Sequence, residues 1–456
     1  MIRLFNHYFS SRLLLLTIVE AAVLYKSMQL GTLLRIPVGD PAPAADSAAI
    51  FTFVMLSMMT ALGMYHTQRE AFGRTLQRLL IAFGLASMLT SVVFYVFPFL
   101  YVGRGIFAIT AVLSVAGLLL VRMVFFQLTS APMLRPRVMV IGSGDCAREV
   151  VDYLQAPDAK RTMQFVGFYQ TQDEINSPDR FRALNHGELL RTVKSMRADE
   201  VVIAVRERRG GVLPLRELLE CKLAGRRVID SVAFFEREQG FLKLDHLRAS
   251  WMIFGTGFHH GLARDIVKRM FDIVFSLTLL VIMSPILLIA ALAILIETGR
   301  PVVYRQERIG ESGRPFSIMK LRSMIQSAES GVPQWASTGD SRVTRVGRFI
   351  RLTRIDELPQ LINVLIGNMS FVGPRPERPY FVKQLAEQIP FYEMRHSLKP
   401  GITGWSQVRF HYSASIQDSI QKLQYDLYYV KNHSLFLDLL IILETVQVVL
   451  LGKGAR

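Results

Sequence analysis

A chain of 456 residues divides, at roughly 100–200 residues per domain, into two to four units. Apolar residues make up 51% and the mean hydropathy is +0.30, which excludes both a disordered chain and an ordinary soluble one. The 53 Lys+Arg against 37 Asp+Glu leave a net charge of +16, the signature of a partner such as anionic lipid, nucleic acid or a phosphorylated substrate. Two cysteines exclude a disulfide framework, and nine scattered histidines show no zinc-ligand spacing.

Four apolar stretches, near residues 13–34, 48–66, 79–101 and 106–128, fill the first 130 residues. A bilayer core of ~30 Å needs ~20 apolar residues in a helix, so each can span. The first carries Glu20, which in lipid is either a functional group or a bundle-facing polar partner. Arg3 and Arg12, then Arg69, Arg74 and Arg78, then Arg135 and Arg137 flank the spans on one side, against mainly Arg35 and Arg104 on the other. The positive-inside rule therefore puts the N-terminus and everything after residue 130 in the cytoplasm.

Residues 131–261 change character, with denser charge and short apolar runs alternating with helical patterns. A strand from Arg137 runs into Gly142-x-Gly144-x-x-Ala147 and then a helix; further strands are expected at 165–169, 200–205 and 227–230. That alternation predicts a parallel α/β, Rossmann-like domain, with the glycine loop as its candidate phosphate site. Against a dinucleotide, the acidic residue expected after the second strand is replaced by Tyr169-Gln170. A domain kept for packing, dimerisation or regulation is the better reading, and a membrane-anchored nucleotide sensor is the competing one.

Residues 273–296 form a run of 24 uncharged residues. Arg264, Lys268 and Arg269 precede it and Arg300, Arg305 and Arg308 follow, so both ends look cytoplasmic. Ser284-Pro285 sits at its centre, where proline removes a backbone bond and serine can re-satisfy the freed carbonyl. A re-entrant helix-hairpin fits better than a span; a Pro-kinked transmembrane helix is the alternative.

After residue 300 the chain becomes rich in arginine. Arg342, Arg345, Arg348, Arg351 and Arg354 recur every third residue in a basic amphipathic segment suited to anionic membrane or phosphates. Asp356-Glu357 follow, with Pro359 two residues on, so a helix is expected to start at Asp356 and run through 361–366. Arg375, between Pro374 and Pro376, is held on a stiff loop suited to a bidentate phosphate contact. Upstream lie Arg305, Arg308, Lys320 and Arg322; downstream lie Leu398-Lys-Pro-Gly-Ile-Thr-Gly-Trp405, Asp426 and a last apolar helix over 435–451.

In this order, the Ser-Pro pair, Lys320-Leu-Arg-Ser-Met324, Asp356-Glu-Leu-Pro-Gln360, Gly373-Pro-Arg-Pro376 and Pro400-Gly-Ile-Thr-Gly-Trp405 closely resemble the bacterial sugar transferase family. Its members are polyprenyl-phosphate hexose-1-phosphate transferases that begin exopolysaccharide and O-antigen assembly. The resemblance covers roughly residues 262–456, and residues 1–130 and 131–261 look like the four spans and Rossmann-like domain of the family's large form. Ser323 and Asn368 depart from the usual threonine and aspartate. The resemblance implies a membrane protein with an α-rich (α+β) monotopic catalytic domain, multi-pass in the bacterial inner membrane and dimeric. It implies that a UDP-sugar loses UMP and its sugar-1-phosphate ends on a polyprenyl phosphate at the lipid bilayer. Asp356 then matches the nucleophile and Glu357 the Mg²⁺ ligand. Arg305, Lys320, Arg322, Arg351, Arg354, Pro374, Arg375 and Pro376 are the candidates for binding phosphate and nucleotide. A nucleic-acid partner is not expected, because +8 of the charge falls in residues 262–456, around the candidate phosphate site.

Overall fold

The computed structural model describes residues 1–4, 7–35, 45–65, 72–129, 135–142, 144–169, 189–205, 213–247, 251–252, 257–258, 261–325, 342–410 and 415–450. Several positions used above lie outside the described residues: His66, Arg69, Gln170 and Leu451.

The chain opens on a small antiparallel hairpin, β1 (Ile2–Leu4) and β2 (His7–Phe9). It then enters four apolar helices: α1 (Ser11–Arg35), α2 (Ala45–Ala61), α3 (Phe72–Val96) and α4 (Arg104–Thr129). Three of them are long and apolar enough to cross a membrane. The second is shorter than its apolar stretch, because the chain leaves the helix at Ala61 for the turns of residues 62–65. Together they make this a membrane protein. Leu24, Phe51, Met55, Met59 and Leu79 form the bundle core. Lipid tails are as apolar as leucine, so close approach rather than hydrophobicity brings such helices together. A Cβ on Gly31 would stand 2.7 Å from Thr110 Oγ1, and one on Gly117 2.7 Å from Val23, which is how α1 lies flush on α4. Glu20 is fully buried, and Arg122 Nε donates to its Oε1 at 2.6 Å while the Tyr65 hydroxyl donates to Oε2 at 2.6 Å. The charge in the first span is a satisfied, bundle-facing partner.

Four parallel strands follow, β3 (Arg137–Ile141), β4 (Gln164–Tyr169), β5 (Glu200–Ile203) and β6 (Arg227–Asp230), in the order β4-β3-β5-β6. Covered on both faces, β3 carries the unbroken apolar run Val138, Met139, Val140, Ile141, each fully buried. Its helices are α5 (Asp145–Gln155), α6 (Pro157–Thr162), α7 (Leu189–Ser195), α8 (Leu215–Leu223) and α9 (Ser231–Gln239). The Asp230 carboxylate caps α9, accepting from Ala233 N at 2.7 Å.

One 37-residue helix, α10 (Leu262–Thr298), begins the last region and runs through Pro285. Ser284 Oγ donates to the Val281 carbonyl at 2.8 Å. The ends of α10 are anchored: Arg269 donates to the carbonyls of Val364 and Leu365, and Glu297 accepts from the backbone of Arg345 and Val346. Its middle is bare, with Val281, Ile282, Leu288 and Ile289 exposed. Beyond it lie the hairpin β7 (Val303–Ile309) and β8 (Pro315–Leu321), α11 (Arg345–Leu352) and a 3-10 turn, Ile355–Glu357. Then come α12 (Gln360–Ile366), β9 (Ser370–Val372), α13 (Pro379–Gln388) and β10 (Gly401–Thr403), which pairs parallel with β9. The chain closes on α14 (Trp405–Arg409), α15 (Ile416–Asn432) and α16 (Leu435–Leu450).

Nothing in the sequence announced how tightly these regions join. Val232, Leu242, Leu244 and Met252 belong to the same core as Leu361, Trp405 and Leu427. Trp405 Nε1 donates to the Gly240 carbonyl at 2.7 Å, and buried Lys431 pairs with buried Glu236 at 2.7 Å. The N-terminal hairpin docks on this junction. His7 Nδ1 lies 2.7 Å from the Tyr428 hydroxyl, its ring is edge-on to Trp405, and Phe9 meets Phe436 edge-on.

Candidate active site

The arginine-rich segment is helical only over Arg345–Leu352, where Thr344 caps the start by accepting from Gly347 N at 2.9 Å. Arg354 then takes a left-handed conformation (φ 60°), unusual for a residue with a side chain and costing about 1 kcal/mol. This reversal, followed by Pro359 with no N–H to give, leaves Asp356 and Glu357 in a tight 3-10 turn; the regular helix starts only at Gln360. Both carboxylates are thereby buried rather than displayed on a helix start, at 8% and 7% exposure.

Three cations from separate segments converge on Glu357 Oε1: Arg375 at 2.8 Å, Lys320 at 3.2 Å and Arg354 at 3.5 Å. Burial alone would raise the Glu357 carboxyl, but Arg375, Lys320 and Arg354 hold it well below the ordinary range. Asp356 goes the other way. Burial and the neighbouring Glu357 charge push it up to about 6, with Lys320, Arg354 and Arg351 pulling back. Its Oδ1 has no hydrogen-bond partner. The turn thus separates two adjacent carboxylates into a permanently ionised anchor and an uncommitted, partly protonated group. If ionised Asp356 is required, kcat/KM should climb as pH rises through about 6 and level off above it; a flat profile between pH 5 and 8 would exclude that requirement.

Arg375 owes its position to a loop tied at successive carbonyls. Gly401 N donates to Pro374 O (2.9 Å), Arg395 to Arg375 O (2.9 Å), Arg308 to Pro376 O (3.2 Å) and Ile309 N to Glu377 O (3.0 Å). Gly373 is required for close approach, since a Cβ there would stand 2.4 Å from the Lys399 carbonyl. Arg395 is 2% exposed and pairs with Asp426 at 2.7 Å. Sequence reading missed Arg395, which no local pattern marks.

The remaining candidates scatter around this centre. Arg351 is near enough to lower the Asp356 carboxyl, whereas Arg305 is exposed on β7, opposite Met319. Arg322 turns toward the end of α10, donating to Thr298 Oγ1 (2.5 Å) and the Gly299 carbonyl (2.7 Å). Ser284 and Pro285 lie at the bare middle of α10. In the parallel sheet, Gly142 (φ 121°) lets the chain pass the Ala204 carbonyl, which a Cβ would meet at 2.6 Å. Gly144 is the N-cap of α5 and Ala147 is buried beneath it. Exposed Asp145 occupies that helix's first turn, bringing a negative charge to where a bound phosphate would sit. Among the described residues no group of three or more His, Cys, Asp or Glu gathers as a metal site.

The bacterial sugar transferase family model matches residues 263–452. Over 241 residues, 53% of this chain and 56% of the relative, the sequence is 43% identical to a UDP-N-acetylgalactosamine-undecaprenyl-phosphate N-acetylgalactosaminephosphotransferase of Aeromonas hydrophila. It is 40% identical over 194 residues to a UDP-glucose:undecaprenyl-phosphate glucose-1-phosphate transferase of Escherichia coli, covering 42% of this chain and 41% of that one. A protein with the same printed activity from Caulobacter vibrioides is 42% identical over 195 residues, 42% of this chain and 73% of its own length. The chain spans about half the length of the first two relatives. With the matched region holding the Asp356–Glu357 turn and the Arg375 loop, the chain belongs to the bacterial sugar transferase family.

Proposed function

We propose that the protein transfers a sugar-1-phosphate from a UDP-sugar to a polyprenyl phosphate, as the first membrane step of exopolysaccharide or O-antigen synthesis. The observation that carries this is the buried pair itself: an uncommitted carboxylate beside one fixed by three cations. In the first half-reaction an Asp356 oxygen attacks the phosphorus bearing the sugar. The bond from that phosphorus to the bridging oxygen breaks, UMP leaves with that oxygen, and an aspartyl-phosphosugar remains. A polyprenyl phosphate oxygen then attacks the same phosphorus and frees the carboxylate. Lys320, Arg354 and Arg375 are placed to neutralise the phosphate oxygens while Glu357 holds them in register.

The donor set suits Mg²⁺, which binds one or two carboxylates and keeps its waters. Glu357 would hold it, beside the cations that already meet its Oε1. The ion would supply charge neutralisation for the diphosphate. The test of the whole reading is a panel of labelled UDP-sugars with polyprenyl phosphate, scored for lipid-linked label; no label with any sugar would refute it.

The same reading makes the protein a homodimer of the bacterial inner membrane, with the parallel-sheet unit Rossmann-like and cytoplasmic. It also makes α10 re-entrant, which its anchored ends and bare middle around Pro285 support. A straight 24-residue run is ~36 Å long and would cross a ~30 Å core. Pro285→Leu restores a backbone donor and should give mixed topology, with activity lost in the inverted fraction. The measurement is outside labelling of an introduced cysteine at exposed Ser312, the native Cys146 and Cys221 being buried. Labelling from outside without the Pro285 change would overturn the re-entrant arrangement.

A further inference from the structure

Gln360 opens α12 four residues beyond Asp356, after the 3-10 turn Ile355–Glu357 and the turn residues Leu358 and Pro359. Glu357, Gln360 and Asn363 stand three apart and Gln360 four from Asp356, spacings that in 3-10 and α-helical turns bring side chains near one another. Two of these reach β8. Glu357 meets Lys320 there, and Asn363 accepts from Met319 N at 3.0 Å and donates to the Ser317 carbonyl at 2.8 Å. Gln360 lies between these satisfied neighbours at 2% exposure, yet its Nε2 has no hydrogen-bond partner.

A buried amide donor without a partner is costly, and native proteins keep few of them. Here two orphans stand a turn apart, a donor at Gln360 Nε2 and an acceptor at Asp356 Oδ1. The Gln360 amide needs an acceptor, and a phosphoryl group bonded to an oxygen of Asp356, four residues back, offers only acceptors.

We infer that Gln360 is a further catalytic residue, whose Nε2–H₂ donates to a non-bridging oxygen of the phosphorus being transferred. This rests on the phosphoryl-transfer reading above. As Asp356 O–P forms and the bridging O–P bond breaks, negative charge on the equatorial oxygens meets this donor. The same contact persists until the polyprenyl phosphate oxygen displaces the carboxylate. No proton moves to or from the amide.

The test uses Gln360→Met and Gln360→Glu in the full-length, detergent-extracted protein, reading ligand-free Tm, kcat and KM with the UDP-sugar that the unmodified protein turns over. Methionine fills the same space without polar atoms, so removing an unpartnered amide should leave Tm unchanged or higher. Losing one preorganised donor should lower kcat about 10²-fold with KM little moved. Gln360→Glu places an anion against the phosphoryl group and should lose at least as much. Wild-type kcat in Gln360→Met would overturn the role of Gln360 alone. A large fall in Tm in both variants would also overturn it, by revealing a structural partner for the amide. No turnover in the unmodified protein would remove the underlying reading together with this one.

Discussion

Asp356→Asn should fold as well as the native protein and transfer no sugar phosphate. Burial and the Glu357 charge raise the Asp356 carboxyl to about 6. A raised folded-state value means that ionising the group costs stability as pH rises from the unfolded range toward 6. Asparagine has the same shape and carries no such cost, so at neutral pH the Tm should hold or rise. Activity should fall by at least about 10³-fold, because the amide is no nucleophile toward phosphorus. Trapped sugar-phosphate on the protein, formed from labelled UDP-sugar without acceptor, should vanish with it. Turnover near the native rate would eliminate the covalent route.

Glu357→Gln is expected to be nearly as damaging and for the opposite reason. Glu357 is the shared counter-charge of Lys320, Arg354 and Arg375, and glutamine leaves three cations facing one another. Removing one partner of a buried cluster destabilises by several kcal/mol; these cations are partly exposed, so about 1–3 kcal/mol is expected. Transfer should drop about 10²–10³-fold, since the donors lose their register. Excess Mg²⁺ should restore little, because the arginine positions stay wrong. Native activity in this variant, together with indifference to a chelator, would end both the anchoring and the metal role.

The sequence made the site legible as a set of motifs but not as a geometry. Asp356, Glu357, Lys320, Arg354 and Arg375 read as one constellation because their motifs fall in a recognisable order, and the structure brings all five together. The division of labour between the carboxylates was out of reach. It depends on the left-handed turn at Arg354, and arginine gives no local sign of adopting one. Arg322, grouped with Lys320 among the phosphate candidates, instead lies beyond the end of β8 and turns to α10. Among the parallel strands, β3 and β5 appeared where apolar runs predicted them, since burial on both faces leaves a plain signal. Contacts between regions leave none, and the junction at Trp405, Gly240 and Lys431 could only be seen folded.

The hairpin at the start of the chain has a consequence for biogenesis. His7 meets Tyr428 across 421 residues, and Phe9 meets Phe436. At about 5–20 residues per second, the ribosome needs on the order of a minute between making one partner and the next. Throughout that interval His7 and Phe9 lack these partners while the apolar helices behind them enter the bilayer. The hairpin therefore finds its place only after Tyr428 and Phe436 have been made.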